Sequence, residues 1–241
     1  MSEKSQAPLI IITGASQGIG AAIAQCFASA KFPVRLALVA RNKAALEQVA
    51  LMCTGAEELA CYAVDVSDEQ QVLDFSLTLQ QDMGDASVLI NNAGSWHGAA
   101  VQDMSATDFD RIITVNLRST FLMSRMVLPS MLQRQFGDIF NMSSTAGLEG
   151  YAGVSAYCAA KHAVSGFTKA LREEVRGKGI RVSCISPGPT YSPSWHSSGI
   201  PQEQFMPAKD VARAFLDIYR MDRNVVVEDI ILRPQAGHIS S

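Results

Sequence analysis

The run Leu9-Ile10-Ile11-Ile12-Thr13 ends in Gly14-Ala15-Ser16-Gln17-Gly18-Ile19-Gly20, and the alanine-rich stretch 21–30 follows. The apolar, β-branched run reads as a buried strand and the alanines as a helix. Between them, glycines at Gly-x-x-x-Gly-x-Gly spacing permit a tight turn that a bulky group can approach closely. Unpaired amides and the helix dipole suit such a turn to an anion, for example a pyrophosphate. A fully apolar strand feeding a helix through a short turn starts a βαβ unit, so this one stretch points the whole chain toward an α/β fold with a parallel sheet.

The remainder repeats the alternation. Strands are expected at 34–40, 60–66, 87–91, 138–144, 180–186 and 225–232. Helices are expected at 43–53 and 69–83, over a long region capped by Ser105, from the neighbourhood of Tyr157 to 178, and at 207–221. This spacing predicts a doubly wound parallel sheet whose ligands lie beyond the carboxyl ends of the strands. At the end of the second strand an acid would bind a ribose 2′-hydroxyl, whereas a cation would accommodate a 2′-phosphate; the chain has Arg41-Asn42 there. Asp65 ends the third expected strand, and Asn91-Asn92-Ala93-Gly94 ends the fourth, both beside the adenosine half of such a ligand. Residues 190–207, rich in serine and proline, read as a mobile loop over the site.

Composition excludes other classes of protein. At 241 residues the chain is expected to form one domain over 1–241, and a net charge of -3 offers no footprint for nucleic acid. The cysteines, Cys26, Cys53, Cys61, Cys158 and Cys184, are scattered without metal-ligand spacing, which predicts reduced thiols, no disulfide framework and no metal site. A polar start and the lack of a long apolar run predict a soluble, cytoplasmic protein with no membrane partner.

Tyr157 and Lys161 stand four residues apart in a helical stretch, so phenol and ammonium share one face. A cation beside a phenol favours the phenolate and brings a poor acid toward the working range. Asn116, inside an expected helix, would ordinarily face solvent or bond its own backbone.

With the glycine turn, Asn91-Asn92-Ala93-Gly94, Asn116, Ser144, Tyr157, Lys161 and Pro187-Gly188 in order, the chain resembles the short-chain dehydrogenase/reductase family from Ile10 to Leu232. The resemblance implies a Rossmann-like three-layer α/β/α sandwich with a seven-stranded parallel sheet in the order 3-2-1-4-5-6-7. It also implies a nicotinamide cofactor, a small-molecule carbonyl substrate and a homodimer or homotetramer. Tyr157 would be the proton donor, Ser144 would stabilise charge on the carbonyl oxygen, Lys161 would lower the tyrosine pKa and hold ribose hydroxyls, and Asn116 would anchor a relay water. Ser143 is a candidate by type, but the family's spacing to the tyrosine implies Ser144.

The implied cofactor contacts are Gly14, Ser16, Gln17, Gly18, Ile19 and Gly20 in the turn, Arg41 and Asn42, Asp65 and Val66, then Asn91, Ala93 and Gly94. Tyr157, Lys161, Pro187, Gly188 and Ser192 complete them. Arg41 points to NADP(H), although Gln17 stands where NADP-preferring relatives often carry a second cation. The segment from Thr190 to Pro234 is similar to bacterial sepiapterin-reductase-like members, which implies a pterin-like substrate met by Trp96, Tyr151 and Trp195. The alternatives are a 3-oxoacyl-carrier-protein reductase, a non-catalytic nucleotide-sensing protein on the same fold, and an epimerase or dehydratase, for which the chain is short.

Overall fold

The computed structural model describes residues 7–195 and 199–237. Its strands are β1 (Leu9–Thr13), β2 (Arg35–Ala40), β3 (Glu58–Ala63), β4 (Val88–Asn91), β5 (Gly137–Met142), β6 (Ile180–Pro187) and β7 (Asp229–Leu232). They form one sheet in the order β3-β2-β1-β4-β5-β6-β7, and every pairing is parallel. The helices are α1 (Gly18–Ala28), α2 (Lys43–Ala50), α3 (Glu69–Asp82), α4 (Ala106–Ile113), α5 (Ser119–Arg134), α6 (Ser155–Glu174) and α7 (Ala208–Tyr219).

Strand periodicity builds the two outer layers. Successive side chains point to opposite faces, so Ile10, Ile12, Leu36 and Leu38 pack with Phe27 of α1, Leu46 of α2 and Phe215 of α7. Leu9, Ile11, Ala37 and Val39 pack instead with Phe75 of α3, Met123 of α5 and Leu171 of α6. The result is the three-layer Rossmann-like sandwich that the alternation implied. The strand order reverses between β1 and β4, which opens a crevice at their carboxyl ends. Among the described residues no helix is long and apolar enough to cross a membrane.

Several boundaries differ from the sequence expectation, each for a tertiary reason. β3 stops at Ala63 because Asp65 makes a turn of its own, its Oδ1 accepting from Ser67 N at 2.9 Å and from Ser67 Oγ at 2.6 Å. The last strand begins at Asp229 rather than 225, because arginines from neighbouring elements engage the preceding carbonyls: Arg172 donates to Glu228 O, and Arg181 to Val225 O at 3.4 Å. The long helix after Ser105 is interrupted by a π-helical turn, Thr114–Arg118. Such turns redirect side chains, and this one carries Asn116.

The loop over the site is tied at its base by Tyr191 N to Met206 O, 2.9 Å, and Met206 N to Pro189 O, 3.0 Å. Short 3-10 turns occur at Pro193–Trp195 and Gln202–Gln204, and Phe205 is buried. Residues 196–198, on which part of the mobility expectation falls, lie outside the described residues.

Candidate active site

The glycine turn joins β1 to α1. Gly14 has φ +64, and a Cβ there would fall 2.9 Å from Ala93 Cα, so only glycine lets the turn lie against the β4 end. Asn92 braces that contact, donating from Nδ2 to Thr13 O at 2.9 Å and Gly14 O at 3.2 Å, while Thr13 Oγ1 accepts from Ala93 N at 2.9 Å. The first turn of α1 has no side-chain cap and no acid, as in α5 and α6, whereas α2, α3 and α4 are capped by Asn42, Asp68 and Ser105. The first amides of a helix lack intrahelical partners and offer donors to a phosphate, and Ile19 of this turn lines the cavity described below. Arg41, just after β2, is exposed beside this edge.

One cavity of about 450 Å³ lies at the carboxyl ends of β4, β5 and β6. It gathers Asn116, Ser144, Tyr157 and Lys161 with Ile19, Gly94, Pro187, Gly188 and Ser192, and also the aromatic residues Trp96, Tyr151 and Trp195. Ser144 starts a 3-10 turn, Thr145–Gly147, and its Oγ accepts from Ala146 N at 3.2 Å. Tyr157 and Lys161 leave one face of α6, with Lys161 Nζ 5.6 Å from the Tyr157 ring centroid. The ammonium donates to Met142 O at 2.9 Å.

Burial dominates both ionisable groups. It pushes the Tyr157 phenol above its ordinary value, while the Ser144 hydroxyl alongside works in the opposite direction. It pushes Lys161 down to about 8. In the free protein desolvation thus outweighs the opposing influences on the phenol, with the Lys161 ammonium standing over the same ring. The phenol therefore keeps its proton at neutral pH.

Asn116 is almost fully buried, and Nδ2 donates to Ser95 O at 2.7 Å and Ile112 O at 2.9 Å. The bond to Ile112 is the local backbone satisfaction expected of a helical asparagine, but Oδ1 has no partner among the described residues, and neither has Ser95 Oγ. Buried orphan acceptors are rare and call for water or ligand. A Cβ on Gly94 would sit 2.7 Å from that Oδ1 and 3.5 Å from Lys161 Nζ, so glycine keeps open the space between them.

Other expected residues lie elsewhere. The side chain of Asn91 turns into the sheet, where Nδ2 donates to Asn141 Oδ1 at 2.9 Å and Ser124 Oγ at 3.1 Å. Its main chain ends β4 at the crevice. Asn42 is engaged in capping α2, accepting from Ala45 N at 3.1 Å. Val66 packs in the core beside α3. Ser143, the rejected alternative to Ser144, also lines the cavity, but its hydroxyl is engaged, donating to Lys161 O at 3.0 Å and pairing with Ser165 at 2.8 Å. Gly14, Ser16 and Gln17 stand in the turn after β1, Gly18 and Gly20 in the first turn of α1, Asp65 after β3 and Ala93 after β4, outside the cavity itself. Sequence reasoning missed Ser95, Val154 and Ile200 in the lining. Ser95 directly follows Gly94 and was within reach of the motif; Val154 and Ile200 carry no local signal.

The strand order and the uncapped first helix define a doubly wound protein with its ligand crevice at the switch point. The short chain dehydrogenase family model matches residues 8–202, and the chain belongs to that family of oxidoreductases. It is 32% identical to the sepiapterin reductase of Chlorobaculum tepidum over 238 residues, 96% of this chain and 98% of that one. It is 35% identical to the D-beta-hydroxybutyrate dehydrogenase of Cupriavidus necator over 202 residues, 80% of this chain and 78% of the relative. Among solved structures, a metagenomic short-chain oxidoreductase in complex with NADP superposes with a TM-score of 0.81 at 30% identity, covering 95% of this chain and 97% of that one.

Proposed function

We propose that this protein reduces a carbonyl to an alcohol with NADPH. The observation that carries the reading is the convergence of Ser144, Tyr157, Lys161 and the orphaned Asn116 Oδ1 in one cavity, next to an uncapped helix start. These residues fit a dinucleotide: free amides of α1 and Arg41 for its phosphates, and Lys161 with the Gly94 opening for ribose hydroxyls. When bound, the reduced nicotinamide supplies a hydride. Tyr157, protonated at neutral pH, donates its proton to the carbonyl oxygen. Ser144 hydrogen-bonds that oxygen and stabilises its developing charge. Lys161 orients the cofactor ribose, and Asn116 Oδ1 holds a water through which a proton returns to Tyr157.

The NADP preference rests on Arg41, with the NADP-bound structural relative in support. Arg41→Asp is expected to lower the ratio of NADPH to NADH kcat/KM by at least about tenfold; an unchanged ratio would refute the preference. A pterin-like substrate is supported by the sepiapterin reductase relative. The reading is tested by following NADPH oxidation across sepiapterin, 3-oxoacyl thioesters, diketones and sugar-derived ketones, and lack of turnover with all of them defeats it.

Lys161 also makes cofactor binding depend on pH. Its folded value lies near 8, below the ordinary 10.5, so the free protein loses this charge as pH rises through about 8. Between about pH 7 and about pH 9, NADPH affinity is expected to fall by about tenfold, the difference between a charged and a neutral hydrogen bond. Fluorescence titration checks this, and Lys161→Met should flatten the profile.

A further inference from the structure

We infer that the pocket selects an uncharged, flat, conjugated ketone held by Trp96 and Trp195; this rests on the reductase reading above. Two features of the cavity carry it. The first is charge. Among the described lining residues the one group charged at neutral pH is Lys161, whose ammonium donates to Met142 O at 2.9 Å and, in the reading above, turns its remaining donors to the cofactor ribose. Arg233, the nearby cation past β7, is bound to Glu149 Oε1 at 2.6 Å, and the same carboxylate accepts from the Tyr151 phenol at 3.2 Å. A substrate carboxylate would therefore enter a half-closed space without an available cation and with Glu149 behind its wall, a costly transfer.

The second feature is the aromatic mouth. Trp96 comes from the loop after β4 and Trp195 from the loop after β6, yet their rings stack with centroids 6.1 Å apart and 24° between planes. Trp195 also packs on Phe205 at 5.0 Å, and Phe205 on Tyr191 at 5.9 Å. Phe205 is buried, so Trp195 is propped from behind while presenting its ring to the cavity. Trp96, by contrast, is 47% exposed. A propped indole facing a more exposed one suits a planar guest, which can replace one ring-to-ring contact with another. A saturated ring of equal size gains burial but not stacking.

The test uses the full-length enzyme with NADPH and three ketones of matched size: 1-phenyl-1,2-propanedione, phenylpyruvate, and the cyclohexyl analogue of the diketone. The phenyl diketone should exceed phenylpyruvate in kcat/KM by at least about a hundredfold and the cyclohexyl analogue by about tenfold. Trp195→Ala and Trp96→Ala should bring the phenyl-to-cyclohexyl ratio close to one, while Trp195→Phe and Trp96→Phe keep most of it. Phenylpyruvate turned over as well as the diketone, or alanine variants that leave the phenyl-to-cyclohexyl ratio intact, would overturn the inference and leave the reductase reading standing. No turnover of any of the three would overturn the inference, while the reductase reading is decided by the wider screen above.

Discussion

Tyr157→Phe is expected to reduce carbonyl turnover by about a thousandfold, the scale of a lost general acid, while NADPH binds nearly as before. The phenol oxygen is the group at issue, because the ring itself packs with Ile112, Ala156 and Ala160 and phenylalanine preserves that contact. Burial keeps the phenol protonated at neutral pH, which is the state a donor needs. Ser144 cannot substitute for it, since a serine hydroxyl can steady an oxyanion but is a far weaker acid. Stopped-flow NADPH oxidation with the best ketone, together with cofactor titration by fluorescence, separates chemistry from binding. Turnover within a few-fold of the parent would eliminate Tyr157 as the acid.

Asp138→Ala should lower stability by about 3–5 kcal/mol and the melting temperature by roughly 10 °C. Asp138 is 1% exposed in β5, with Oδ1 2.6 Å from Arg181 Nε and Oδ2 2.5 Å from Arg223. Arg181, itself buried, also donates to Tyr219 O at 2.9 Å and Met221 O at 3.0 Å at the end of α7. Removing the carboxylate strands a guanidinium in the interior, and that uncompensated charge, more than the lost bonds, sets the size of the effect. The cluster lies at the end of the sheet away from Tyr157, so kcat measured well below the transition should change little. Calorimetry decides the matter, and a melt displaced by less than about 1 °C would show that water replaces the pair at no cost.

Much of the fold was legible because it depends on local pattern. The β1 run and its glycine turn announce themselves by apolar continuity and glycine spacing, and β1 occupies the expected Leu9–Thr13. Tyr157 and Lys161 share a face because helical geometry alone guarantees it. The boundaries that slipped did so where a distant side chain captured backbone groups, as Arg172 and Arg181 do before β7. The direction of the Asn91 side chain was not legible, because a motif specifies a residue type, whereas that direction follows from the β4–β5 register that pairs it with Asn141.

The amino-acid sequence by itself determined the parallel α/β architecture, the family and the set of candidate groups, since these follow from periodicity, turn chemistry and spacing along the chain. The tertiary structure decided what those groups experience. It buried Lys161 and Tyr157 deeply enough to move their proton affinities, left Asn116 Oδ1 without a partner, turned Asn91 inward and stacked Trp96 on Trp195. Desolvation, hydrogen-bond satisfaction and ring contact are properties of neighbours in space, and for these residues the deciding neighbours come from segments far apart in the chain.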